Sequence, residues 1–106
     1  PFHNDMKLFY LVFILLGLTW ACSSAIDAEA PDGHQLYKSY CVACHGVKGD
    51  MGASGAYDLS GSKLTLEERI QVITNGRNAM ASYKSLLGEE KIRAVAEYTL
   101  QLTKTE

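Results

Sequence analysis

Two cysteines and a histidine stand together at Cys41-Val42-Ala43-Cys44-His45. On a helix, residues three apart share a face, so two thiols at this spacing reach one edge of a flat ligand. Cys-x-x-Cys-His is the attachment pattern of haem c. Each sulfur takes one vinyl-derived carbon, and His45 then comes beneath the ring and offers a nitrogen to the iron. Other chemistries also use paired cysteines. A thioredoxin-like pair expects a βαβ context and a zinc site expects a second pair of ligands; the sequence supplies neither. Cys22, Cys41 and Cys44 are too few and too unevenly placed for a disulfide framework. The expectation is haem c, one per chain, covalently attached through Cys41 and Cys44, with His45 on the iron.

A sixth ligand must reach the face opposite His45, so the intervening chain has to wrap around the haem edge. Met80 lies far downstream in a loop between two predicted helices, which permits the detour. The chain from His45 to Met51 spans at most about 20 Å fully extended, which would strain it. Met6 belongs to the N-terminal apolar segment. His34 sits on the same helix as the attachment residues and points poorly toward the far face. A methionine's commoner fate is adaptable core filling, but beside a haem motif Met80 reads as an iron ligand.

The elements that must hold these residues are helical. From Asp32 onward, Gly33, Leu36, Tyr37, Tyr40, Cys41 and Cys44 fall at helical spacing along one stripe. Gly46 to Gly61 is glycine-rich without a helical period and reads as a long loop. Thr65-Leu66-Glu67-Glu68 is a capping box. Leu66, Ile70 and Ile73 line the helix it opens, and Gly76 suits its stop. Asn75 to Ser85 is a second loop. Gly88-Glu89-Glu90 starts a last helix, with Ile92, Val95, Ala96, Thr99 and Leu102 or Thr103 as its buried stripe. The fold class is therefore all-α, about three helices with long loops. A domain this small buries too little surface to stand comfortably alone, and a large apolar group at its centre would answer that.

The N-terminus reads as an address. Met6-Lys7 opens an unbroken apolar run from Leu8 to Leu18, followed by small residues, the layout of a secretory signal over residues 6–21. A membrane-spanning helix needs roughly 20 apolar residues, so an uncleaved anchor requires the span to continue through Ser23 and Ser24. Residues 1–5 are given no structure. Cys22 after Ala21 partly resembles a bacterial lipoprotein signal and is a candidate lipid-attachment site, although Thr19 and Trp20 depart from that pattern. Ser23-x-Ala25 and Ala28-x-Ala30 suit ordinary signal peptidase, and Cys22 would then be discarded with the leader. Residues 22–31 form a linker to a domain at 32–106. The expected location is exported and periplasmic, with membrane attachment through Cys22 or an uncleaved leader as an option.

A formal net charge of −2 argues against nucleic acid, which needs a clustered basic surface. Hydrophobic residues at 47% and charged residues at 21% describe an ordinary globular chain rather than a disordered one. Lys48, Arg77 and Lys84 flank the attachment and methionine segments. They read as a local rim that could steer an acidic partner, or as scattered solvated charges.

Over residues 32–103 the chain resembles the small class I c-type cytochromes, especially domains related to subunit III of cbb-type terminal oxidases. Gly33 and Tyr37 match the N-terminal helix of that family, Gly46 and Gly49 the glycines after the haem histidine, and Val95 and Tyr98 the C-terminal helix that crosses the first at the glycine. Met80-Ala81-Ser82-Tyr83 matches the segment of the axial methionine. The resemblance implies the small cytochrome c fold around one haem and a monomeric single-electron carrier, not an enzyme. Its redox protein partners would be a membrane oxidase or reductase of a respiratory chain. Two other readings are a haem-domain subunit of such a complex, and a haem sensor or enzyme whose methionine dissociates. The sequence departs from the family at two places where proline is usual. Ala81 follows the methionine, and Tyr57-Asp58 stands where a proline carbonyl commonly receives the histidine Nδ1–H, so another loop carbonyl is expected there.

Overall fold

The structure, a computed structural model, describes residues 2–17 and 29–102. Its regular elements are α1 (Phe2–Gly17), α2 (Gly33–Tyr40), α3 (Val42–His45), α4 (Leu66–Asn75) and α5 (Lys84–Thr99), with a 3-10 turn at Ala53–Gly55. Among the described residues there is no strand, only an isolated bridge between Arg77 and Met80.

The apolar run lies in α1 as far as Gly17, with its side chains from Leu8 to Leu16 exposed. Phe2–Asp5, expected without structure, form its first turn. Nothing in them breaks a helix, and Asp5 sits near the positive end of the helix dipole. No helix among the described residues is long and apolar enough to cross a membrane. Cys22, Ser23-x-Ala25, Ala28, most of the linker at 22–31, and the stripe candidate Thr103 with the rest of residues 103–106 lie outside the described residues.

Asp32 opens α2, its carboxylate accepting the N–H groups of His34 at 2.9 Å and Gln35 at 3.2 Å. The single helix expected from Gly33 to Cys44 is divided at Cys41, whose φ/ψ of −114°/−31° interrupts the spiral. The chain turns again as α3, with the N–H groups of Cys44 and His45 both donating to the Cys41 carbonyl. About three helices were expected; the division of the first and the N-terminal α1 account for the larger number.

The capping box at the start of α4 is formed. Thr65 Oγ1 accepts the Glu68 N–H at 3.3 Å and the Glu68 carboxylate accepts the Thr65 N–H at 2.7 Å. The backbone N–H and then the hydroxyl of Thr65 hold the Glu68 carboxyl below the ordinary glutamate range. Because the folded pKa lies below the unfolded one, this contribution is complete above the unfolded value and is lost as pH falls through the folded one. Thr65→Ala is expected to lower stability by about 1 kcal/mol in urea melts at neutral pH, with the difference shrinking as pH falls through Glu68's folded value.

The last helix was expected to start at Gly88. The structure instead places a helical turn at Lys84–Leu87 ahead of that glycine, which sits at φ 71°, ψ 169° inside α5. The turn forms because the Tyr83 carbonyl accepts the N–H groups of both Leu86 and Leu87, and Leu87 is buried.

The core is Tyr37, Leu87, Ile92, Val95 and Ala96, where α2 crosses α5 and α4 packs beside it. Fully burying a large side chain contributes about 1.5–3 kcal/mol, so this core alone is slender. The crossing occurs at Gly33, as expected, but its nearest neighbours on α5 are Ala94 and Tyr98 rather than Val95. Around the core, Leu59, Ile70, Ile73 and Tyr83 are only partly buried, and Leu59, Ile73 and Tyr83 border the site.

Candidate haem-binding site

Cys41 and His45 line a cavity of about 450 Å³ together with Cys44, Tyr57, Met80 and Tyr83. A second recess of about 70 Å³ shares Cys41, His45, Tyr57, Arg77 and Met80 and runs inward to Tyr37, Ile73 and Thr99. The structure therefore gathers all four residues singled out on the attachment and ligand patterns. Cys41, Cys44 and His45 come from the α2–α3 corner, and Met80 comes from the segment between α4 and α5. Met51 is exposed and lies outside both linings, and His34 stacks on Tyr98 at 5.1 Å between ring centres, remote from the cavity.

The two thiols form no disulfide. Burial, and then the neighbouring Cys44, pushes the Cys41 thiol up to about 11. A disulfide-exchange pair works through a lowered thiol, so the environment is the opposite of a thioredoxin-like site.

His45 Nδ1 lies 3.0 Å from the Tyr57 carbonyl. With its proton on Nδ1 the ring donates to that carbonyl, and Nε2 is left as the coordinating nitrogen. The loss of the usual proline thus leaves the hydrogen bond from His45 Nδ1 in place, because any residue at that position has a carbonyl. The segment after the histidine is fixed too. Buried Tyr37 donates its hydroxyl to the Gly46 carbonyl at 2.6 Å, and Gly46 takes φ 77°, a conformation suited to glycine. Burial above all raises the Tyr37 pKa to about 12, which keeps that hydroxyl a donor.

Met80 closes a four-residue turn. The N–H of Arg77 donates to the Met80 carbonyl and the N–H of Met80 to the Arg77 carbonyl, both at 3.0 Å. Asn78 within it takes φ 53°, tolerable for asparagine. Arg77 lies over the Tyr57 ring, 4.5 Å from its centre, and like Lys48 and Lys84 it is exposed.

Arg69 was not foreseen. On a helix whose apolar residues are only half-buried, it is 7% exposed and lines the inner recess. Its guanidinium donates to the carbonyls of Leu64, Ser62 and Thr99 and to the Thr99 hydroxyl, at 3.0–3.2 Å. Among the described residues no carboxylate pairs with it, and burial lowers its pKa. A fixed positive charge at that wall favours the less positive state of a redox group in the cavity. The sequence hint was its place one residue before Ile70 on the inward stripe.

Residues 28–98 match the family described as cbb3-type cytochrome c oxidase subunit III. The chain belongs to the class I c-type cytochromes. A cytochrome c6 of Nostoc sp. is 32% identical over 89% of this chain and 91% of its own length. Cytochrome c6 of Leptolyngbya boryana is 33% identical over 69% and 92%, and a chloroplastic cytochrome c6 of Chlamydomonas reinhardtii 31% over 79% and 62%. A solved c-type cytochrome, KustC0563, superposes with a TM-score of 0.62 at 30% identity, covering 69% of this chain and 99% of that one. The cytochrome carries one covalently bound haem c and is a single-electron carrier, not an enzyme. The cavity fits the group: paired thiols on one wall, an imidazole with its Nδ1 committed, a thioether on another wall, and a volume within the roughly 300–1,000 Å³ of cofactor sites.

Proposed function

We propose that Cys41 and Cys44 would hold the haem through thioethers, that His45 Nε2 and Met80 Sδ would bind its iron, and that the cytochrome shuttles electrons between redox proteins of an exported electron-transport chain. The observation that carries this reading is the convergence of all four residues on one cavity from two separate segments. Bound haem iron supplies a one-electron couple. The protein's part would be to hold the iron between His45 and Met80 with no ligand position left open, which would disfavour oxygen and peroxide chemistry, and to favour the reduced state through the Met80 thioether. The Tyr57 carbonyl orients His45, and Leu59, Val72 and Ile73 supply apolar wall to the inner recess.

Residues 6–21 act as the export leader in this reading, 32–106 as the working domain, and Cys22 as the point of lipid attachment if the leader is cut before it. A membrane oxidase or reductase is the partner class. The alignment over 91% of a free-standing cytochrome c6 supports a mobile carrier over a subunit fixed in a complex.

The test is spectroscopic. Protein matured with haem should show the weak red charge-transfer band of methionine-ligated ferric haem, and its ferrous form should ignore carbon monoxide. Met80→Leu should abolish the band and admit carbon monoxide. If the band survives in Met80→Leu, Met80 is not the ligand.

A further inference from the structure

We infer that Tyr57 is a positioning residue that ties the histidine side of the cleft to the methionine turn. The inference rests on the ligand reading above and adds a residue to it. The main chain of Tyr57 touches one ligand: its carbonyl accepts from His45 Nδ1 at 3.0 Å. Its side chain touches the segment of the other. The ring lies beneath the Arg77 guanidinium, 4.5 Å from its carbon, and the hydroxyl accepts from Asn78 Nδ2 at 3.4 Å. Arg77 and Asn78 are the first half of the turn whose closing residue is Met80. All of these residues line one cavity.

A proline at position 57 would offer the same carbonyl but neither ring nor hydroxyl. The usual proline after the methionine, which would stiffen the turn by fixing φ, is Ala81 here. The turn is therefore gripped from across the cleft, by a cation–π contact and a hydrogen bond, instead of being stiffened from within. Tyr57 is 58% exposed, so its ring contributes little to the core, and removing it leaves the carbonyl to His45 intact.

The experiment measures how easily the methionine is displaced, by titrating the ferric holoprotein with imidazole. Tyr57→Ala should bind imidazole about fivefold more tightly than wild type, close to 1 kcal/mol, with covalent haem attachment retained. Tyr57→Phe, which keeps the ring under Arg77, should stay within about twofold of wild type. Arg77→Gln should tighten imidazole binding as Tyr57→Ala does, and the double variant should add less than the sum of the two. Equal imidazole affinity in wild type and Tyr57→Ala, or fully additive effects, overturns the inference. Met80→Leu separates the two readings. If it binds imidazole no more tightly than wild type, the ligand assignment fails and takes this inference with it. If Met80→Leu opens the iron while Tyr57→Ala does not, only the tie fails.

Discussion

Gly33→Val is expected to destabilise the cytochrome by at least about 3 kcal/mol, at or beyond the upper end of ordinary overpacking. A Cβ at Gly33 would overlap the Ala94 carbonyl oxygen, stand 2.7 Å from the Ala94 carbonyl carbon and 3.1 Å from Tyr98 Cβ. Two of those atoms are backbone in the middle of α5 and cannot rotate aside, so the helices themselves must separate. The interface that would open contains Tyr37 and Val95, each 1% exposed, in a core with few other members. The damage would also reach the site. Tyr37 holds the Gly46 carbonyl, so a displaced α2 moves the segment directly after His45. Urea melts of the holoprotein check the magnitude. A loss under about 1 kcal/mol, the lower end of overpacking, would mean that the crossing is looser than the structure has it.

What was legible in the sequence was local or covalent in origin. The Thr65–Glu68 box closes on itself within one turn, so four residues suffice to read it. The Cys-x-x-Cys-His run needs only its own spacing. Gly33 was readable as a crossing beside Tyr98, but its other close neighbour on α5 is Ala94 rather than Val95, since helix phase against a partner depends on the crossing angle. The break at Cys41 was not readable, because no glycine or proline marks it and the apolar period runs straight through. Arg69 was hidden for a different reason. Composition puts arginine outside, and its acceptors come from Ser62, Leu64 and Thr99, on two segments that only the fold brings together. With the proline missing, some other carbonyl of the loop was expected to serve His45. The hydrogen bond belongs to the backbone, and Tyr57 supplies it from the same position.

Gly76→Ala should be the most damaging small substitution at the methionine side, by at least about 3 kcal/mol with strain and overlap combined. Gly76 ends α4 at φ 75°, ψ 168°, a region that is essentially glycine's alone. A Cβ there would overlap the Met80 carbonyl oxygen and lie 2.8 Å from the Ala81 carbonyl carbon and the Ser82 nitrogen. All three atoms belong to the segment that presents Met80, and all are backbone. Gly88 is the natural control. It has nearly the same dihedrals, φ 71° and ψ 169°, but a Cβ added there meets nothing within 4 Å. Gly88→Ala therefore carries the strain alone, about 1–3 kcal/mol, and should leave the spectrum of the ferric protein untouched. Gly76→Ala carries the same strain and also drives the methionine segment away from the cleft. Its charge-transfer band should weaken or vanish, and its ferrous form should begin to bind carbon monoxide. Urea melts and visible spectra of the two variants, run side by side, separate strain from displacement. Equal destabilisation with both bands intact would mean that the Met80 segment yields to an added methyl without moving its sulfur, and that Gly76 serves only the helix stop.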